Sequence, residues 1–295
     1  MYFDSHVHSA ASPDSEMNPA EAIETLKNMG FGITFTEHVD FSGDYEKCDP
    51  NATDAPTGIG DFLCDFGIYP AEYEKFRGKG VALGLEIGLT KTALQPNREI
   101  AVGDYDFIIG SIHSVDGDEI YHVAHGNVKP RTSFGKLILS DEANSADLCI
   151  RRYLNYAREM VEVSDFFDSF GHIDYIARYV PKLERNFFYD NFTEELDKLL
   201  KIIAERELAL EINTQGFGRT PLPHPSGLGS EFSRESVMLE ICRRFVALGG
   251  RFCTIGSDAH TLPTLGKNFK DAIKIAEYAG LAVVCFKERK PIRCG

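Results

Sequence analysis

His6 and His8 stand two residues apart at the end of a strand-like start, Tyr2-Phe3-Asp4-Ser5-His6-Val7-His8. Alternate side chains of a strand share a face, so the two imidazoles point the same way and can hold one metal ion. Asp14 follows Ser12-Pro13 in a polar turn that can fold back over the same place. Later strand-like runs also end on metal-ligating residue types: Thr36-Glu37-His38, Gly84-Leu85-Glu86, Gly110-Ser111-Ile112-His113, Gly171-His172 and Ser257-Asp258-Ala259-His260. Asp258 and His260 repeat the spacing of the first pair. Any one of these histidines alone is as readily a satisfied core residue. Six of them at strand ends, with three carboxylates among them, point to metal.

The elements that must position these residues alternate along the chain. Strand-like runs at Gly32–Thr36, Val81–Glu86, Phe107–His113, Phe166–His172, Leu208–Asn213 and Phe252–His260 follow the first one. Helical patterns are expected from Asn18-Pro19 to Met29 and over about 70–78, 91–101, 145–163, 191–206, 233–248 and 267–279. A last strand, Leu281–Phe286, closes the chain. Polar excursions interrupt at 41–68 and 116–144, and a Gly/Pro-rich loop at 214–232. Alternation of this kind is α/β with a parallel sheet or barrel, whose active site lies at the carboxyl ends of the strands. No linker breaks the pattern, so residues 1–295 read as one domain.

Composition narrows the function. The chain has 31 basic and 45 acidic residues, a net charge of −14, which disfavours nucleic acid and anionic membrane as partners. Something other than overall charge must then attract an anionic substrate, and bound metal would do so. Seven cysteines without C-x-x-C spacing suit a reducing compartment. No basic segment leads into an apolar run at the start, and no apolar stretch approaches a membrane span. The expectation is a soluble, cytoplasmic protein. No Cys-x5-Arg or P-loop pattern offers covalent or nucleotide-type phosphate chemistry. Oligomeric state stays open.

The motifs already quoted, with Gly171-His172-Ile173-Asp174, resemble in order those of the PHP (polymerase and histidinol phosphatase) family. Within it they most resemble the monofunctional histidinol-phosphate phosphatases. The similarity runs from residue 2 to about 270. It implies a distorted (β/α)7 TIM-like barrel with a trinuclear site. One ion would take His6, His8, Glu86 and Asp258. Glu86 would bridge to a second, completed by His113 and His172. A third would take Asp14, His38 and His260. Some family members have His where this chain has Asp14. Asp14, Glu86, Asp258 and His260 are the catalytic candidates, and two to three Zn, Fe or Mn ions the cofactors. Three divalent ions against three carboxylates leave about +3, enough to draw in a phosphate dianion. The implied reaction is hydrolysis of L-histidinol phosphate, a small phosphate monoester of histidine biosynthesis, by a metal-bridging hydroxide.

The phosphate also needs donors. Arg178 and Arg219 each follow a strand end, and similarly placed arginines bind phosphate in histidinol-phosphate phosphatases; the alternative is a surface ion pair. Glu211 and Asn213 are candidates for the substrate's ammonium or imidazole, with Glu211 equally a polar group of the strand core. His224 is either a substrate contact or a solvated loop residue, and His122 and His125 read as exposed. Rival functions are a phosphoesterase for a nucleotide or sugar phosphate, and a noncatalytic metal-binding assembly module. The filled ligand set speaks against the module, and the acidity against a nuclease.

Overall fold

The computed structural model describes residues 1–41, 61–142, 144–180, 191–217 and 234–295. Its strands are β1 (Phe3–Val7), β2 (Gly32–Asp40), β3 (Phe62–Leu63), β4 (Val81–Gly88), β5 (Phe107–Ser111), β6 (Ser114–Val115), β7 (Asp118–Glu119), β8 (Ser169–Phe170), β9 (Ala209–Asn213), β10 (Phe252–Gly256), β11 (Ala282–Lys287) and β12 (Lys290–Arg293). Eight of them pair in parallel, with seven forming the row β1-β2-β4-β5-β8-β9-β10 and β11 joining the start of β10. The two ends of that row meet. Val7 bridges Ala259, the Asp258 N–H donates to the His6 carbonyl at 2.9 Å, and the His8 N–H donates to the Ala259 carbonyl at 3.0 Å. This is the expected (β/α)7 barrel. Its distortion lies in the two-residue β8 and in a register shift between Asp4 and Val7.

Strands covered on both faces must be apolar throughout, and β4 is buried at every position. Gly84 in that strand has a close reason: a Cβ there would sit 2.3 Å from the Phe107 carbonyl oxygen. The outer helices are amphipathic. Helix Ser145–Val163 buries Cys149, Ile150, Tyr153, Leu154, Ala157, Met160 and Val161, the spacing of one helical face. Asn18 starts helix Pro19–Asn28 by accepting from the Ala20 and Glu21 N–H groups. Among the described residues no helix is long and apolar enough to cross a membrane.

Three expectations change. The helix expected near 70–78 is only a 3₁₀ turn, Glu74–Phe76, ended by the turn at Gly78, φ 88°. The excursion 116–144 is built structure: the β6–β7 ribbon and helices Ile120–Ala124 and Ser133–Ile138. Buried Asp118 organises it by accepting from the Arg131, Thr132 and Gly135 N–H groups. The last strand, β11, turns into β12, and the pair plugs the barrel end opposite the carboxyl ends. Phe286 stacks on Phe107 at 4.9 Å, within a small core of Ile109, Ala209 and Val284. Residues 42–60 of the first excursion and 218–233 of the Gly/Pro-rich loop lie outside the described residues.

Candidate metal centre

All nine expected ligands come together at the carboxyl end of the barrel. Glu86, from β4, stands in the middle and divides its oxygens. Oε2 lies 3.2 Å from His6 Nε2, 3.5 Å from His8 Nε2 and 3.2 Å from His38 Nδ1. Oε1 lies 2.9 Å from His172 Nε2 and 3.2 Å from His113 Nε2, and it accepts the Ser111 hydroxyl at 2.7 Å. Asp258 Oδ1 is 3.7 Å from His6 Nε2 and 3.5 Å from His8 Nε2. On the outer side Asp14 Oδ2 lies 2.9 Å from His260 Nε2 and 3.5 Å from His38 Nε2.

Hydrogen bonding, such as that between His172 Nε2 and Glu86 Oε1, explains only part of this packing. His6 Nε2, both ring nitrogens of His8, His38 Nδ1 and His172 Nδ1 are buried without a hydrogen-bond partner, although carboxylates are near several of them. Like atoms even face each other: His113 Nε2 and His172 Nε2 at 3.3 Å, and His38 Nε2 and His260 Nε2 at 3.5 Å. Two nitrogens bound to one tetrahedral ion at the usual zinc bond length stand roughly 3.3 Å apart. The spacings are therefore those of donor atoms around shared ions. The groups His6/His8/Glu86, Glu86/His113/His172, His8/His38/His260 and His38/Asp40/His113 each bring one donor atom per residue within 4.8 Å of the others. The residues fit a divalent metal centre.

Charges in the metal-free site compensate one another. Burial works against a charged His6, but Glu86, Glu211 and Asp258 outweigh it and hold its pKa well above the ordinary value. Burial also works against the Glu86 carboxylate, yet His6 and His113 keep it well below the usual range. His8 goes the other way, lowered by burial and by its neighbours His38 and His260. Metal binding would replace such protons with cations.

Surrounding residues fasten the ligands. Asp40 Oδ1 is 2.8 Å from His113 Nδ1. Buried Glu37 accepts from the Ser12 hydroxyl at 2.6 Å and the Ser9 N–H at 3.1 Å, and the His38 N–H donates to Ser12 Oγ at 3.1 Å. That network ties the turn bearing Asp14 to β2. Asp258 has φ 55°, a left-handed conformation that costs a non-glycine residue about 1–3 kcal/mol. It is imposed by Asp4, which accepts the Ser257 N–H at 2.9 Å, the Ser257 hydroxyl at 2.6 Å and the Gly266 N–H at 3.0 Å.

The ligands open onto a cavity of about 450 Å³. Arg178 lies in its wall beside Asp258. Glu119, Tyr121, His122, Tyr175 and Tyr179 also line it, Tyr175 with its ring 4.8 Å from that of His172. Glu119 caps helix Ile120–Ala124 by accepting the Tyr121 and His122 N–H groups, and burial pushes its carboxyl up to about 7.

Comparison with known proteins agrees with this geometry. The family model described as PHP domain matches residues 4–215. The chain belongs to the PHP family. It is 31% identical over 290 residues to a probable histidinol-phosphatase of Clostridium acetobutylicum, covering 98% of each chain. It is 29% identical to the histidinol-phosphatase of Lactococcus lactis, over 87% of this chain and 83% of the relative. The crystal structure of histidinol phosphate phosphatase from Lactococcus lactis, complexed with zinc, L-histidinol and phosphate, superposes with a TM-score of 0.76 at 26% identity, covering 99% of each chain.

The span matched by the PHP model stops short of Asp258 and His260, yet β10 brings both to the same centre as the earlier motifs. The expected substrate residues fare less evenly. Arg178 lies at the cavity. Arg219 and His224 are outside the described residues. Glu211 does not line the cavity; β9 aims it into the barrel behind His6, where it is fully buried. Asn213 is also buried, and its Oδ1 accepts from Arg178 Nη2 at 3.1 Å, so it braces the arginine rather than the substrate. His122, expected to be exposed, lines the cavity, whereas His125 Nδ1 lies 2.8 Å from the Tyr121 carbonyl oxygen. Asp40, which sequence reasoning missed, carried a signal: it stands two residues after His38 on the same strand face.

Proposed function

We propose that this protein is a metal-dependent phosphomonoesterase that hydrolyses L-histidinol phosphate to L-histidinol and phosphate. The observation that carries the reading is the convergence of ligand-type side chains around Glu86, several of their buried nitrogens without a hydrogen-bond partner, at one end of a cavity sized for a small ester. The names of the relatives, and the zinc, L-histidinol and phosphate held by the Lactococcus structure, support the substrate.

His6, His8, Glu86 and Asp258 are assigned to one ion, Glu86, His113 and His172 to a second, and Asp14, His38 and His260 to a third. Two to three ions would be held, with Glu86 as the bridge. Zinc fits this donor set, and so do iron and manganese. Divalent ions there lower the pKa of water and neutralise charge on the phosphoryl group. Arg178 would grip phosphate oxygens from the cavity wall. The cavity lining offers a carboxylate, Glu119, and the rings of Tyr121, Tyr175 and Tyr179 to an ammonium and an imidazole. A bound ammonium would pull the Glu119 pKa back down. A cytoplasmic setting belongs to the same reading.

The test is phosphate release from L-histidinol phosphate beside a sugar phosphate and a nucleotide, before and after chelation and with zinc, iron or manganese added back. Preference for histidinol phosphate, lost on chelation and restored by metal, is expected. Activity intact after exhaustive chelation would sink the metal reading, and equal rates on all three esters the substrate reading.

A further inference from the structure

Glu211 touches one residue from each of the two ligand groups that meet at Glu86. Its Oε1 lies 2.6 Å from His6 Nδ1, and its Oε2 accepts the His172 backbone N–H at 2.6 Å. Asn213 Nδ2 also donates to Oε2, at 3.3 Å. Room for this arrangement comes from Gly256, where a Cβ would sit 2.4 Å from Glu211 Oε1 and 2.4 Å from His6 Cβ. The carboxylate is fully buried and does not line the cavity, so neither solvent nor substrate competes for its oxygens.

We propose that Glu211 is a positioning residue for metal retention: it holds the proton of His6 on Nδ1, leaves the Nε2 lone pair facing the ligand set, and pins the backbone of His172. The proposal rests on reading the site as a metal centre. A neutral imidazole has one N–H and one lone pair, and a carboxylate only accepts. With Nδ1–H donated to Glu211, the lone pair belongs to Nε2, the atom that lies by Glu86 and Asp258 without a hydrogen-bond partner. Partners of this kind fix the orientation and basicity of ligating histidines.

The argument makes the isosteric change informative. Glu211→Gln supplies one acceptor and one donor. The His172 N–H cannot reverse, so it takes the amide oxygen. The amide NH₂ then faces His6 Nδ1, which has to accept. The imidazole proton moves to Nε2, where it blocks the metal. Glu211→Asp keeps the carboxylate at a longer reach.

The experiment is zinc competition against a fluorescent chelator for wild type, Glu211→Gln and Glu211→Asp. It is paired with ¹H–¹⁵N correlation of the histidine rings in the zinc-loaded proteins. Expected are a 10- to 100-fold loss of zinc affinity in Glu211→Gln, a smaller loss in Glu211→Asp, and an upfield shift or exchange loss of the His6 Nδ1–H signal in the Gln variant, where that N–H no longer has its carboxylate acceptor. Wild-type affinity in Glu211→Gln, equal losses in the two variants, or a His6 Nδ1–H signal unchanged between wild type and Glu211→Gln would overturn it. A wild-type protein that binds zinc but does not hydrolyse L-histidinol phosphate would defeat the substrate reading and leave this one standing.

Discussion

Arg178 Nη1 lies 3.2 Å from Asp258 Oδ2, so the guanidinium placed to grip phosphate is already paired with a carboxylate of the metal centre. Its Nη2 donates to Asn213 Oδ1 at 3.1 Å, Gln215 Oε1 accepts from Nη1, and the Tyr175 ring lies 5.2 Å away. The side chain is nearly buried and held on several sides. An arginine fixed in this way loses little freedom when a phosphate arrives.

Arg178→Ala should therefore cost catalysis rather than metal. Leaving a partly desolvated phosphate short of a charged partner costs about 2–5 kcal/mol, which corresponds to roughly 30- to 5,000-fold in kcat/KM. Arg178→Lys should recover part of that, since an ammonium lacks the planar fork. Steady-state kinetics with metal counted in the same preparations is the check. Wild-type kcat/KM in Arg178→Ala would leave phosphate binding to the metals.

Glu86→Gln should lower kcat more than Asp14→Asn. Each oxygen of Glu86 faces a different set of imidazoles, so one change weakens two sites. Among the described residues Asp14 pairs with His38 and His260 alone, and its side chain is 38% exposed, so water can stand in for it. Metal analysis should show loss from two sites in the first variant and one in the second. Equal and small losses would show that Glu86 does not bridge.

Eight of the nine ligands were legible because each sits at the end of an apolar run, where period-two alternation and strand topology together fix direction; Asp14 lies in a polar turn and was placed by the family resemblance. Glu211 was harder: on sequence it reads the same whether β9 aims it at substrate or at His6. Only the closing of the barrel, which puts Gly256 and His6 against it, decides. The helix expected near 70–78 was cut short by its local backbone, and the missed strand β12 needed β11 to pair with. β12 forms because β11 offers it an edge at the barrel's base. The β6–β7 ribbon was obscured by its polar residues, which serve as caps and cavity wall rather than as solvated loop.

Arg289 fastens that base. Its Nε donates to Asp168 Oδ2 at 2.5 Å, Nη2 to the Phe166 carbonyl at 2.7 Å, and its backbone N–H to the Asp106 carbonyl at 2.9 Å. Arg289→Ala removes the side-chain bonds and leaves Asp168, a mostly buried carboxylate, without its cation. A loss of about 1.5–3 kcal/mol is expected, the range for a hydrogen bond to a charged group. Tm should fall while zinc content per folded chain stays unchanged, because the plug lies at the other end of the barrel. An unchanged Tm would mean that the apolar packing of Phe286 holds the hairpin alone.

His38, with His6 and His113, makes metal capture depend on pH. Burial opposes its charge, but Asp14 and Asp40 overcome it and raise its pKa from 6.5 to about 10 in the metal-free protein. Its pairing with those carboxylates stabilises the metal-free fold fully below about pH 6.5, and that contribution fades as pH rises through about 10. Metal affinity runs the opposite way. A ligating imidazole must be neutral, so binding at neutral pH expels the proton, and affinity rises about tenfold per pH unit for each proton released. His260, also raised, adds in the same direction. Zinc titration calorimetry at pH 7 in buffers of different ionisation enthalpy should count at least one proton released, and affinity should be higher at pH 8 than at pH 6. Affinity flat across that range, with no proton released, would show that His38 and His260 take no part in holding metal.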